Sequence, residues 1–272
     1  MRNILVPVEQ SGAMTSVLTA AWRLAGRFGG HLEGAALLPR FADLVVSDIP
    51  IDTVRYDDGN DAEAEVAARN LFEEFVAARM RDEPDLPPPR IGWAGRLDDG
   101  DVGAFARLFD VTVVGRPGSR SGEPRRATLE AVLFESGRPI LIAPPKPVET
   151  IGETVLIAWN RATETARTVA LAKPLLRRAS KIFVLGLPGT TPGPDAEQMA
   201  EALRRDDLAA EAIAPSDTTL ANGPAILAEC AARGVDLLVK GGYTQSRLRQ
   251  LIFGGATSHI LANAELPVFM AH

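Results

Sequence analysis

From Val239 to Leu261 the sequence reads VKGGYTQSRLRQLIFGGATSHIL. Gly241 and Gly242 follow an apolar run, Ser246, Arg247 and Arg249 make a basic middle, and Gly254-Gly255 precede a helical pattern. Glycines at the end of a parallel strand let backbone N–H groups approach an anion, so this stretch could cradle a phosphate. The competing account is a structural turn with solvated arginines. A second glycine pair, Gly115 and Gly118 in VVGRPG, lies beside Arg116, Arg120, Arg125 and Arg126. That cluster could hold a phosphate or an acidic partner; a solvated loop, with Ser119, Ser121 and Gly122 interleaved, accounts for it equally well.

Groups for covalent or metal chemistry are sparse. His31, His259 and His272 have no nucleophile at a recognisable elbow and no metal-ligand spacing. The Gly-x-Gly-x-x-Gly fingerprint and the Walker loop are absent after both candidate first strands. Cys230, the only cysteine, excludes an internal disulfide and reads as a small buried thiol in AILAECAARG. Asp57, Asp58 and Asp61 read as an acidic helix entry, with Asn60 or Asp61 as N-cap. These features favour binding over catalysis.

The elements that would position these residues occur twice. NILVPVEQSG leads into a helix over Thr15–Phe28, and TVLIAWNRAT from Thr154 leads into a helix carrying Ala166, Val169 and Leu175. Superposing Leu5 on Leu156 sets Glu9 opposite Asn160. Both halves continue with a second strand (HLEGAALLP, KIFVLGLP), a helix (DAEAEVAARNLFEEFVAARMRDE, DAEQMAEALRRDD) and a third strand (RIGWAGR, AAEAIAP). A third helix, an apolar fourth strand (DVTVVGRPG, DLLVKGGYT), a short helix and a Pro-led strand (RPILIAPP, LPVFMAH) complete each. Continuous apolar strands alternating with helices predict parallel sheets covered on both faces. The expected fold is α/β: two similar doubly wound, Rossmann-like domains, each with a five-stranded parallel sheet and four helices. The proline-rich linker APPKPVETIGE divides residues 1–147 from residues 148–272.

The chain has 272 residues, 46% of them hydrophobic, and a formal charge of −6. This balance suits a cored globular protein and argues against a nucleic-acid partner, which needs clustered basic charge. The N-terminus has no signal-peptide pattern and no apolar run reaches membrane-span length, so a cytoplasmic protein without membrane association is expected.

ILVPVEQS, VVGRPG, VLIAWN, the stretch from Gly241 to Thr257 and LPVFMAH, in this doubled order, resemble a tandem-domain universal stress protein, the bacterial family named for universal stress protein A. The resemblance covers essentially the whole chain. In nucleotide-binding relatives an acidic residue after strand one contacts the adenosine, and Gly-x-x-Gly, nine residues and Gly-Ser or Gly-Thr wrap ribose and phosphates. Carried over, the first half offers Glu9, Gly115 and Gly118, and the second Asn160, Gly241, Gly242, Thr244, Gly254 and Gly255. The second half keeps the nine-residue spacing, but Thr244 replaces the second glycine, Gly255 the hydroxyl residue and Asn160 the acid. Asn160 can still accept a hydrogen bond from a ribose hydroxyl. In the first half Pro117 has no N–H to donate, and Arg126-Ala127 stands where Gly-Ser is expected.

The resemblance implies a non-enzymatic stress-response protein that acts through a protein partner or a ligand. The alternative is an ATP-binding protein with slow hydrolysis in the second half; ATP or another adenine nucleotide is the only cofactor suggested. It also implies an intramolecular pseudo-dimer, its last strands PILIA and PVFMA pairing across a near two-fold axis, with further homodimerisation open.

Overall fold

The computed structural model describes residues 1–38, 58–84, 88–98, 100–120, 122–189, 192–242 and 255–272. The first half runs β1 (Asn3–Val8), α1 (Met14–Phe28), β2 (His31–Leu38), α2 (Asp58–Asp82), β3 (Arg90–Asp98), α3 (Val102–Phe105), a 3₁₀ turn (Ala106–Leu108), β4 (Val111–Gly115), α4 (Arg126–Glu135) and β5 (Ile140–Ala143). The second runs β6 (Thr154–Trp159), α5 (Thr163–Leu176), β7 (Lys181–Gly186), α6 (Ala196–Arg204), β8 (Ala210–Ile213), α7 (Asn222–Ala232), β9 (Leu237–Gly241), α8 (Gly255–Asn263) and β10 (Val268–Ala271). The doubled α/β order is the one expected from the sequence.

All ten strands form one sheet, ordered β3-β2-β1-β4-β5-β10-β9-β6-β7-β8. Every neighbouring pair is parallel except β5 and β10, which run antiparallel with Leu141 opposite Phe269 and Ile142 opposite Val268. The two last strands thus cover each other's edges. Side chains alternate between the faces: Ile4, Val6 and Val8 pack under α1 and α2, whereas Leu5 joins the layer under α3 and α4. The second half repeats this, with Val169 and Leu203 on one face and Ile226 and Ile260 on the other.

Local chemistry explains the element ends. α1 stops at Gly29, whose φ of 55° turns the chain left-handed while Gly30 N–H returns to the Ala25 carbonyl at 2.9 Å. α6 opens with a capping box, Asp195 accepting from Gln198 N–H at 2.8 Å and the Gln198 side chain accepting from Asp195 N–H at 2.9 Å. α2 differs from expectation. Its described part, Asp58–Asp82, already includes Asn60 and Asp61, so neither stands before the helix as a cap, and the Asp61 carboxylate pairs with Arg96 of β3 at 2.9 Å. An acidic first turn is favoured by the helix dipole as well as an acidic cap is, which is why the sequence left the boundary loose.

One device recurs at the start of each fourth strand. Asp110 accepts backbone N–H groups of Arg2 (2.5 Å) and Asn3 (3.0 Å). Asp236 accepts those of Gly152 (3.1 Å), Glu153 (3.1 Å) and Thr154 (2.9 Å). Each aspartate fastens strand four to the entry of strand one. Between the halves, Arg27 pairs with Glu153 and also reaches the Gly152 carbonyl at 3.2 Å, while the Arg178 guanidinium lies 4.6 Å from the Phe28 ring centre.

A buried acid on α7 makes stability depend on pH. Glu229 accepts Ser216 N–H at 2.6 Å and the Arg233 guanidinium at 3.0 Å. Its hydrogen bonds from Ser216, aided by Arg233, hold the carboxyl below its usual range despite burial. A depressed carboxyl contributes stability above its unfolded value, near 4.3, and that contribution is lost as pH falls through the folded value. Urea unfolding at pH 7, 4 and 3 is expected to show a smaller acid-side loss for Glu229→Gln than for the parent chain. Equal losses would remove Glu229 from the acid limb.

Candidate functional site

In each half the chain leaves β1 (or β6) in both directions along the sheet, so strand order reverses between β1 and β4 and between β6 and β9. Crevices beyond the carboxyl ends of such strands are where doubly wound folds bind ligands. Glu9 and Gly115 stand at the first crevice, Asn160 and Gly241 at the second.

The first crevice is filled by its own chain. Glu9 is buried, and its carboxylate accepts Arg125 N–H at 3.1 Å and the Thr128 hydroxyl, both at the start of α4. Gly115 sits under Pro124, whose Cγ and Cβ leave no room for a side chain there. A Cβ at Gly118 would meet the Glu123 carboxylate. Glu123 turns back on its own loop: it accepts Arg120 N–H at 2.9 Å and binds the Arg120 guanidinium at 2.8 Å. The Arg120 N–H and guanidinium hold the Glu123 carboxyl below its ordinary range. The loop closes on the strand-one turn through Gly12 N–H to the Gly122 carbonyl, 2.9 Å.

The basic cluster singled out in the sequence is neutralised from within. Arg116 reaches the Ala264 carbonyl at 2.9 Å and Glu265 at 3.3 Å, across the seam between the halves. Arg120 pairs with Glu123, Arg125 with Glu9 at 3.6 Å and Arg126 with Glu130 at 2.8 Å. All four guanidiniums have carboxylate partners.

The second crevice is built differently. Asn160 Oδ1 accepts Ala162 N–H at 3.2 Å and the Thr165 hydroxyl at 2.5 Å, so its carbonyl serves the entry of α5. Arg161 beside it has φ 66°, a left-handed conformation uncommon outside glycine. Gly241 permits close approach of β9 to α5, since a Cβ there would lie 2.6 Å from Thr165 N. Gly242 N–H is committed to the Ala271 carbonyl at 2.7 Å. Gly255 opens α8, and among the described residues nothing lies within 4 Å of a Cβ built there. Thr244 and Gly254 lie outside the described residues, as does the span between them.

Two participants escaped the sequence reading. Glu123 lies inside the arginine-rich segment RPGSRSGEPRR; a lone acid three residues after Arg120 was the available signal. Lys240 ends the apolar strand LLVKG, where the first half has Val114. Its ammonium donates to the Gly241 carbonyl at 2.9 Å and the Thr257 hydroxyl at 2.7 Å. Burial pushes its pKa down to about 8. Among the described residues no three His, Cys, Asp or Glu side chains gather as a metal site. Cys230 is buried, and burial, helped by the Glu229 charge, pushes its thiol up to about 12.

Two doubly wound halves joined through antiparallel last strands, with glycines ending strand four at the switch points, define the tandem universal-stress-protein fold. Solved structures agree. A universal stress protein from Archaeoglobus fulgidus DSM 4304 superposes over 100% of this chain and 98% of its own, with a TM-score of 0.68 at 17% identity. A putative universal stress protein from Pseudomonas aeruginosa UCBPP-PA14 covers 100% of this chain and 93% of its own, with a TM-score of 0.54 at 15% identity. At these identities the likeness is one of fold. No family model and no curated protein matches the chain.

Proposed function

We propose that this chain is a cytoplasmic stress-response protein that works by binding a protein partner or a ligand, without catalytic turnover. The observation that carries the reading is the closed first crevice, where Glu123, Pro124 and the Glu9–Thr128 pair fill the space around Gly115 and Gly118. Glu9 and Glu229 are bonded internally, and His259 packs its Cβ against Gly223 of α7. None of the described helices is long and apolar enough to cross a membrane.

A second reading, adenine-nucleotide binding in the second half, is favoured by one contrast. Among the described residues, the atoms nearest a Cβ built at Gly241 belong to Thr165, whereas Glu123 stands over Gly118. Titration calorimetry with ATP and AMP on the purified chain separates the two. The proposed function expects no saturable binding tighter than about 10 μM, roughly −7 kcal/mol. Low-micromolar ATP binding that survives Gly118→Val and is lost in Gly255→Val would replace it with the second reading.

A further inference from the structure

The chain carries 25 arginines and only four lysines: Lys146, Lys173, Lys181 and Lys240. Lys173 pairs with Asp206 and Lys181 with Glu211 at 2.6 Å, so these two serve as ordinary surface cations. Lys240 does not. Its side chain falls on the face of β9 that carries Leu238, beside Met270 of β10, in the apolar layer covered by Ile226 of α7 and Ile260 and Leu261 of α8. Its two acceptors, a backbone carbonyl and the Thr257 hydroxyl, are uncharged, and among the described residues no carboxylate pairs with it. The titratable groups on the covering helices are turned elsewhere: Glu229 to Ser216 and Arg233, His259 to Gly223 and Asn263.

The halves differ here in a chemically directed way. In the first, the threonine in the first turn of the short last helix, Thr128, meets the buried acid Glu9, and strand four ends in Val114-Gly115. In the second, the matching Thr257 meets an amine, and the acid's counterpart is the uncharged Asn160, bonded to its own helix. A lysine facing a glutamate would be held protonated; with Asn160 in that place and apolar walls around it, the neutral amine is favoured. Arginine, the cation this chain otherwise prefers, cannot lose its proton in a protein. A lysine at this one apolar position therefore supplies something a guanidinium cannot.

We propose that Lys240 is a nucleophilic amine that captures a small aldehyde or ketone as a reversible imine at the β9–α8 crevice. The amine lone pair attacks the carbonyl carbon, a C–N bond forms and the carbonyl oxygen becomes a hydroxyl. One amine proton makes that hydroxyl, the hydroxyl then leaves as water with the second amine proton, and C=N remains. Nothing is oxidised or reduced. The Thr257 hydroxyl, 2.7 Å from Nζ, is placed to relay a proton as the carbinolamine loses water. As a residue, Lys240 keeps partial solvent exposure. The proposal stands apart from the question of nucleotide binding.

The test is reductive trapping of the intact chain with propanal and cyanoborohydride at pH 7, read by peptide mass mapping, which separates Lys240 from the other lysines and the N-terminal amine. A pKa of about 8 gives about 200-fold more free amine at pH 7 than an ordinary lysine near 10.4. Even with steric shielding, Lys240 is expected to be propylated at least tenfold faster than lysine in a short unstructured peptide. Its rate should rise with pH to a half-maximum near 8. In Lys240→Met, matched in volume to its apolar neighbours, this adduct disappears while circular dichroism stays unchanged. If that variant fails to fold, the map of the unmodified chain decides alone. Labelling confined to Lys146, Lys173 and Lys181, or a Lys240 rate no greater than the peptide's, overturns the proposal.

Discussion

Phe269→Ala is expected to destabilise the chain by about 3–5 kcal/mol, the usual cost of truncating a buried aromatic residue. Phe269 is fully buried on β10, opposite Leu141 across the antiparallel seam and opposite Val239 on β9. Its loss would remove packing from the pair of strands that makes one sheet of two halves. Leu141→Ala, across the seam, should cost about 2–5 kcal/mol, and the double variant should fall short of the sum because the residues share a contact. Urea unfolding of the three variants measures this. A loss below about 1 kcal/mol for Phe269→Ala would mean that the seam relaxes around the gap.

Asp236→Ala is expected to cost about 2–4 kcal/mol, because one carboxylate serves three backbone N–H groups at the entry to β6. Its counterpart Asp110 serves two such groups and is 39% exposed, so water can replace it and Asp110→Ala should cost about 1 kcal/mol. Asp236→Asn keeps one acceptor oxygen and should fall between. Chemical denaturation gives the order directly; equal losses for the two alanine variants would show that the third N–H group contributes nothing.

What the sequence made legible follows from periodicity. Each strand that became central, such as Val111–Gly115 or Leu237–Gly241, reads as an apolar run between turn residues, and that pattern survives any detail of packing. The edge pairing of PILIA with PVFMA was legible through the family resemblance, and it is found as antiparallel β5 and β10. The crevices were legible only as locations. Glu9 and Asn160 were named as ligand contacts through the family resemblance, and the structure also gives both hydrogen-bonding duties within the protein. Those partners, Arg125, Thr128 and Thr165, follow from how helix ends dock against strand ends, which one-dimensional spacing does not encode. The arginine cluster was legible in the same partial way. Its charge was visible in the sequence, but the carboxylates that consume it come from Glu9, Glu123, Glu130 and Glu265, three of them distant from Gly118 in sequence or direction.

The antiparallel seam also fixes which way each half faces. Within each half the strands run parallel to that half's last strand, and β5 and β10 run in opposite directions. The carboxyl ends of the two halves therefore open at opposite rims of the sheet. Glu9, after β1, and Asn160, after β6, therefore lie on opposite rims, and the sheet runs between them.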